Sequence, residues 1–323
     1  MKVLLLGVVL VQLVLLLFSP VLKTRPVFQW YYTQVFYPVF VDVDRLRWKF
    51  WAVPVLYASV YGYCAVLFLQ DVEPVVRTRL TALERWVVVP AALAAPLVSG
   101  ALAMAVKPRT SRGAWSAPRY DELIFHAGLE CRTCRLPKYA RSRHCAICGQ
   151  CTLLADHHCV WVNNCIGQDN YQYFYGFLAA NVIVTSYGSI RLAWVRRAGG
   201  DERSLLVLCA LLGCFAVILT VFAYFQVALV RDGMTTGEET KWLVVHDMLR
   251  QGKLVVDGSG RYFYRLDRED DAGAFEFYST NMYDSRVYPV QNYRTVRDPA
   301  EITNIYDRGG FWANLRERVG YGV

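Results

Sequence analysis

The stretch from Cys131 to Cys165 most constrains what this chain can fold into, because it holds seven cysteines and three histidines within 35 residues. It opens with Cys-x-x-Cys pairs at 131/134 and 145/148, and Asp-His-His-Cys follows at 156–159. A polar segment so rich in thiols is typical of a disulfide framework or of metal sites. The spacings are those of metal knuckles, so we predict reduced thiolates in a reducing compartment.

Five charge-free apolar runs flank this segment, and each is close to or above the ~20 residues that a helix needs to cross a bilayer. They are Val3–Leu22, Trp51–Leu69, Trp86–Val106, Tyr171–Ile190 and Ser204–Val230. With 55% apolar residues and a mean hydropathy of +0.23, the chain is too apolar for an ordinary soluble protein. The sequence therefore predicts a polytopic α-helical membrane protein with five spans.

The spans also suggest the domain organisation. We predict an N-terminal anchor (1–22), a second and third span (51–106), the cysteine-rich segment (107–170), a fourth and fifth span (171–230) and a tail (231–323). Lys and Arg concentrate after the first span and in the cysteine-rich segment, so the positive-inside rule puts both, and the tail, in the cytosol, with the N-terminus in the lumen. A cleaved signal peptide would move the cysteines to the lumen, so an uncleaved anchor is favoured.

The cysteines and histidines outnumber the ligands that two metals need. Zinc takes four tetrahedral ligands, and each Cys-x-x-Cys pair supplies two of them. Four positions then remain for six candidates, which are His144, Cys151, His157, His158, Cys159 and Cys165. Neighbouring side chains of an extended segment point to opposite faces, so His144 and Cys145 should bind different metals, and His144 joins the first pair. Two of the six candidates are surplus.

The surplus points to chemistry around residue 158. Residues 157 and 159 share one face of an extended run and 158 lies on the other. If His158 binds zinc, His157 and Cys159 remain side by side, and an imidazole beside a thiol can take its proton. Asp156 can then orient His157 in the manner of a Cys-His-Asp triad. Strict alternation would put Asp156 on the wrong face, so a turn at 156–157 is required.

These residues resemble the cysteine-rich domain of the DHHC family of protein S-acyltransferases (palmitoyltransferases). The match covers about residues 129–178, from the two knuckles through Arg141-Ser142-x-His144-Cys145 and the tetrad to Trp161-Val162-Asn163-Asn164-Cys165-Ile166-Gly167. Asp232–Glu238 is similar to the family's TTxE motif, and Tyr306–Gly309 with Asn314 to its C-terminal motif. Three spans before the catalytic segment, instead of the usual two, are similar to a five-span fungal branch associated with the endoplasmic reticulum.

The resemblance implies a role for each part. It implies a small zinc-stabilised, β-hairpin-rich cytosolic domain with two structural Zn²⁺ ions. One ion would take Cys131, Cys134, His144 and Cys151, and the other Cys145, Cys148, His158 and Cys165. Cys159 would accept the acyl chain of palmitoyl-CoA as a thioester and pass it to a substrate cysteine, with His157 as base and Asp156 polarising His157.

Further residues receive supporting roles. Lys138, Arg141 and Arg143 are hypothetical partners of the CoA phosphates, and the alternative interpretation is a solvated basic face. Thr235 and Thr236, through their hydroxyls, and Glu238 are expected to support the His157–Asp156 region, against the alternative of a plain helix end and turn. Asn314 is expected to anchor the tail.

The implied partners are the membrane and membrane-associated proteins with juxtamembrane cysteines, such as SNARE-like single-span proteins. The endoplasmic reticulum is the expected location. A zinc-dependent scaffold with an inert tetrad is the main rival function, and an unligated Cys-His pair argues against it. Five spans and the lack of a dedicated basic recognition helix argue against nucleic-acid binding. The sequence does not indicate whether a partner subunit is needed.

Overall fold

A computed structural model describes residues 2–113, 118–200, 202–267, 274–281 and 284–320. The chain divides into two compact units between Tyr57 and Ala58. The α-helices are α1 (Lys2–Phe18), α2 (Pro26–Tyr31), α3 (Ala52–Leu67), α4 (Glu73–Val76), α5 (Val89–Ala105), α6 (Tyr171–Arg197), α7 (Arg203–Arg231), α8 (Thr236–Arg250) and α9 (Phe311–Val319). Short 3₁₀ and π-helical turns extend several of them, so that Arg47–Arg79 and Glu84–Ala105 are continuous helices.

Among the described residues, four helices are long and apolar enough to cross a membrane. They are Arg47–Arg79, Glu84–Ala105, Tyr171–Arg197 and Arg203–Arg231. The predicted first span is the helix Lys2–Phe18, whose 17 residues lie at the lower limit for crossing a bilayer. These helices, together with a cysteine-rich region of β-hairpins, confirm the predicted fold class of a polytopic membrane protein.

The segment after the first helix is not the plain loop that its position suggests. Helix α2 continues as a π-helix through Tyr32–Val41, so the chain is helical from Pro26 to Val41. No charged residue lies between Arg25 and Asp42. This uncharged stretch is shorter than the ~20 residues of a membrane span, so the sequence did not indicate a helix there. The Tyr31 hydroxyl donates a hydrogen bond to Gln12 Oε1 of α1 at 3.0 Å.

Helices α5, α6 and α7 pack side by side within the larger unit. A side chain at Gly100 would meet the ring of Phe177 at 3.0 Å, so this glycine permits the close approach of α5 and α6. Such close approach at a glycine is typical of helix packing in membranes. The cysteine-rich segment connects the end of α5 to the start of α6.

Two antiparallel hairpins form the cysteine-rich segment. Strand β1 (Arg143–Cys145) pairs with β2 (Gln150–Thr152), and β3 (His158–Cys159) pairs with β4 (Asn164–Cys165). The first turn ends at Gly149, whose φ of +67° favours glycine. Each hairpin is too short to be stable alone, so its order depends on side-chain ligation or packing.

The tail folds back around helix α8. Its five antiparallel strands are β5 (Leu254–Val256), β6 (Tyr262–Asp267), β7 (Phe275–Ser279), β8 (Val287–Tyr288) and β9 (Arg294–Thr295), in the order β8-β7-β6-β5-β9. Trp242, Val245 and Leu249 of α8 pack against Leu254 and Val256 in one buried cluster. This core holds the N-terminal end of α8 in a fixed place, which matters for the site below.

Candidate active site

The eight predicted metal ligands lie in two clusters. One contains Cys131, Cys134, His144 and Cys151, and the other Cys145, Cys148, His158 and Cys165. Within each cluster the ligand atoms all lie within 4.8 Å of one another. All these cysteines are free of disulfides.

The distances fit a tetrahedral zinc ion. The Sγ atoms of Cys134 and Cys151 are 3.7 Å apart, far beyond the ~2.05 Å of a disulfide. Zn–S bonds of ~2.3 Å give a tetrahedron with edges of about 3.8 Å. In the second cluster, Cys148 Sγ lies 3.4 Å from both His158 Nδ1 and Cys165 Sγ. Both clusters can therefore hold Zn²⁺ through three thiolates and one imidazole.

Strand register explains why the two ligand sets interleave. His144 lies directly opposite Cys151 in the first hairpin, and His158 lies opposite Cys165 in the second. Opposed residues of an antiparallel pair project to the same face with Cβ atoms ~4.5–5.5 Å apart. Each hairpin thus contributes one histidine and one cysteine across its strands, and a Cys-x-x-Cys knuckle completes each set.

His157 and Cys159 are the pair outside both clusters. The Nδ1 atom of His157 lies 3.0 Å from Asp156 Oδ2, and Cys159 lies near enough to raise the pKa of the same imidazole. Strand β3 begins only at His158, so alternation does not extend back to Asp156, and its carboxylate reaches the neighbouring ring. Since Nδ1 is engaged by Asp156, Nε2 is the nitrogen left for the thiol.

The surroundings of His157 and Asp156 favour the charged form of each side chain. Burial alone would lower the pKa of His157, but hydrogen bonds and charges from Asp156 and Cys159 raise it to about 10. The Asp156 side chain is fully buried. Burial would raise its pKa, and the hydrogen bond and charge of His157 outweigh that effect and lower it. Phe174 of α6 packs edge-on against the imidazole at 5.3 Å, which fixes the ring plane.

The N-terminus of α8 supplies the second hydrogen bond of Asp156. The backbone N–H of Thr236 donates to Asp156 Oδ1 at 2.5 Å. Thr235 and Glu238 form a capping box at this helix start, which holds the N–H groups in line. The support expected from threonine hydroxyls therefore comes from a backbone N–H at the positive end of a helix, and the Thr236 hydroxyl itself is buried without a partner.

Arg141 occupies a different place from the one expected of a CoA phosphate contact. Its side chain is 2% exposed and donates to both oxygens of Glu238 at 2.7 Å, to Glu317 at 3.0 Å and to the Gly233 carbonyl at 2.9 Å. The guanidinium also lies over the ring of Tyr306, 4.9 Å from its centroid. With its nitrogens engaged and shielded from solvent, Arg141 cannot bind a phosphate, and that expectation is corrected.

The two other predicted phosphate contacts do line a common cavity. Lys138 and Arg143 border a space of about 240 Å³ between the cysteine-rich segment and α8. Lys241 of α8 joins them there, and its charge acts on theirs. The remaining walls are aromatic and polar, including Phe125 and Thr240.

Asn314 of the last helix is held by three hydrogen bonds. Its amide donates to the Arg231 carbonyl at 3.1 Å and to Asp307 Oδ1 at 2.8 Å, and accepts from the Arg308 N–H at 2.7 Å. A Cβ at Gly233 would lie 2.7 Å from Asp307 Cα. The turn after α7 and the C-terminal motif therefore pack backbone against backbone.

Sequence reasoning gave no role to two buried asparagines. Asn164 lies opposite Cys159 in β4 and donates to the carbonyls of Ala103 and Val106, at the end of α5. Asn170 donates to the Val106 and Cys165 carbonyls. Both side chains tie the reactive hairpin to the membrane helices. Both asparagines lie within residues 129–178, the stretch that carries the family resemblance, and this match was the signal that could have predicted a role for them.

A thiol, an imidazole and an orienting carboxylate lie next to one another, beside two sites that can hold a metal ion. Such a set can perform nucleophilic acyl transfer through a covalent intermediate.

Comparisons with known proteins indicate the same chemistry. The sequence model of the DHHC palmitoyltransferase family matches residues 124–243. The chain is 44% identical to palmitoyltransferase SWF1 of Candida glabrata over 320 residues, which cover 96% of both chains. It is 46% identical to that of Eremothecium gossypii, over 94% of this chain and 91% of the relative. It is 40% identical to that of Saccharomyces cerevisiae, over 95% and 96%.

Proposed function

Because the chain belongs to the DHHC family and is a protein S-palmitoyltransferase, we propose that Cys159 carries the acyl chain as a covalent thioester. The observation behind this proposal is the arrangement of Asp156, His157 and Cys159: Asp156 hydrogen-bonds to His157, Cys159 acts on the same imidazole, and the eight neighbouring cysteines and histidines form two clusters that can hold metal ions. A structural zinc domain has no need of such a pair.

The proposed donor is palmitoyl-CoA, and the reaction has two halves. Nε2 of His157 takes the proton of Cys159, and the thiolate attacks the thioester carbonyl carbon. The carbon–sulfur bond to CoA breaks, and the CoA thiolate takes the proton back from the imidazolium. In the second half, His157 takes the proton of a substrate cysteine, whose thiolate attacks the acyl-enzyme and releases Cys159.

The protein's contribution is orientation and charge. Asp156 holds Nδ1 of His157, so the ring presents Nε2 to the thiol and its imidazolium form is stabilised. Thr236 and the helix dipole of α8 stabilise the Asp156 carboxylate. When bound, zinc would stabilise the two hairpins through the eight ligands. A C16 chain gains roughly 0.8 kcal/mol per methylene on entering an apolar environment, so the neighbouring membrane helices are its proposed host.

The cavity beside α8 is the proposed site for the CoA phosphates. Lys138, Arg143 and Lys241 bring three cations to its walls, and Arg141 is replaced in this role by Lys241. Ammonium and guanidinium groups form charge-assisted hydrogen bonds with phosphate. Phe125 and Tyr120 add aromatic surface to the same cavity.

The experiment is acylation of the detergent-purified protein with labelled palmitoyl-CoA. We expect a hydroxylamine-labile label that disappears in Cys159→Ser and falls strongly in His157→Ala. Cys214, an exposed cysteine of α7, gives the matched control, since Cys214→Ser should keep the label. A label that survives Cys159→Ser, or none in the native chain, would refute the acyl-enzyme.

The proposal also covers the location of the enzyme and its substrates. We place the enzyme in the endoplasmic reticulum membrane, with the catalytic segment and tail cytosolic and the N-terminus lumenal. Substrates would be single-span proteins whose cysteines lie beside the membrane, within reach of Cys159. Glycosylation acceptor sites added at either terminus test the orientation, since only the N-terminal one should be modified.

A further inference from the structure

Arg318 of α9 is buried, with 2% of its surface exposed. Its guanidinium donates to the Tyr175 hydroxyl at 2.7 Å, to the Leu229 carbonyl at 3.0 Å and to the Met234 carbonyl. It also lies over the ring of Tyr171, 5.5 Å from the centroid. All three acceptors are uncharged groups.

A buried guanidinium without a compensating charge is unfavourable. Arg141, the other buried arginine at this site, has Glu238 and Glu317 in contact. Over the described ranges, which end at residue 320, Arg318 forms no ion pair at contact distance. The carboxylate whose charge acts on it is that of Asp156. The Asp156 oxygens are already held by Thr236 and His157, so the attraction acts across the buried site.

The contacts of Arg318 also lead to the catalytic pair. Met234 directly precedes Thr235, the N-cap of the helix whose first N–H holds Asp156. Tyr175 follows Phe174, the residue packed on the His157 ring. One buried cation from the C-terminal helix thus contacts residues next to the supports of Asp156 and of His157.

We propose that Arg318 is a positioning residue and the counter-charge of Asp156, which lets the tail hold Asp156 and His157 in the orientation that Cys159 needs. This inference rests on the proposed acyl-enzyme mechanism. It gives α9 a role in the reaction through Tyr175 and Met234, which Arg318 contacts.

Substitutions that separate charge from packing test it. Arg318→Gln removes the charge and Arg318→Lys keeps it, while Arg316→Gln changes an exposed arginine of the same helix. We expect Arg318→Gln to lower the Cys159 acylation rate at saturating palmitoyl-CoA by about tenfold or more, with KM unchanged. Arg318→Lys should keep most of the rate and Arg316→Gln all of it. A native rate in Arg318→Gln, or a change confined to KM, would overturn the proposal.

A stability cycle gives a readout that does not depend on activity. Asp156→Asn should lower the melting temperature, because Arg318 then lacks its counter-charge, and adding Arg318→Gln should cause little further loss. If the two losses simply add, the residues are not coupled and the proposal fails.

Chemical rescue gives a second test of the charge. Guanidinium and urea have nearly the same shape, so only guanidinium should restore acylation to Arg318→Ala; equal rescue by urea would contradict a role for charge. Absence of label in the native chain would instead refute the acyl-enzyme, and the cycle would still test the pairing.

Discussion

Thr236 offers a way to remove a single hydrogen bond from the catalytic carboxylate. It is the first residue of α8, and its N–H donates to Asp156 Oδ1. Proline is favoured at the first position of a helix, because the missing N–H has no partner within the helix. Thr235 has φ −87° and ψ 163°, the conformation that a residue before proline prefers. Thr236→Pro should therefore leave the helix intact.

The expected size of the effect follows from the contact. The N–H and the carboxylate oxygen are 2.5 Å apart, and the carboxylate is fully buried. Hydrogen bonds to charged groups contribute about 1.5–3 kcal/mol. If this energy serves to hold Asp156 against His157 for the reaction, its loss lowers the acylation rate by roughly 10- to 100-fold. The capping box of Thr235 and Glu238 is untouched.

Single-turnover acylation of Cys159 is the assay, with thermal unfolding measured in parallel. Thr236→Ala is the matched control, because it keeps the N–H and removes only a hydroxyl that has no partner. We expect the alanine variant to acylate and to melt like the native chain. The proline variant should be slow and should melt a few degrees lower, because the buried carboxylate loses the same hydrogen bond in the folded state. Slow acylation in both variants would assign the role to the hydroxyl and refute the backbone argument. A native rate in Thr236→Pro would refute it as well.

Three more substitutions test other parts of the site. Arg141→Met leaves the buried Glu238 without its cation, while Glu317 keeps Arg308, so it should cost about 3–5 kcal/mol of stability and lower the melting temperature by roughly 10 °C; an unchanged melting temperature with a raised KM for palmitoyl-CoA would restore the phosphate role. Cys134→Ser removes a ligand of one cluster, so metal analysis should fall from about two zinc ions per chain towards one, and an undiminished content would contradict the ligand set. Burial and neighbouring cations lower the pKa of Lys241 to about 8, so its charge is present below that pH and lost above it. The KM for palmitoyl-CoA should therefore rise above pH 8 and lose this dependence in Lys241→Met; an identical profile in the variant would exclude Lys241 from the site.

The cysteine-rich segment was readable from sequence because its structure is local. A knuckle needs only four residues, and each hairpin pairs residues seven positions apart, as in His144 with Cys151. Alternation along an extended strand is enough to separate His158 from its neighbours. The membrane helices were readable for a similar reason, since length and the lack of charge decide them.

Arg141 shows what such reasoning misses. A cation beside a catalytic motif suggested a ligand contact, yet its partners Glu238 and Glu317 are 97 and 176 residues away in the chain. No local pattern announces an ion pair over that distance. The five-stranded sheet of the tail was missed for the same reason, because strands as short as Val287–Tyr288 and Arg294–Thr295 are defined by their pairing and hardly by their composition.

The register of the second hairpin decides which thiol is available for the proposed acyl transfer. His158 opposes Cys165, so both side chains point to the metal, and Cys159 opposes Asn164 on the other face. A shift of one residue would exchange the two faces, presenting Cys159 to the metal and His158 to the acyl group. Two-residue strands cannot fix their own register, whereas the Cys145–Cys148 knuckle accepts ligands only from the correct face and Asn164 is bound to the end of α5. The metal site and the membrane helix therefore keep one thiol out of the cluster, and that thiol is the one next to His157.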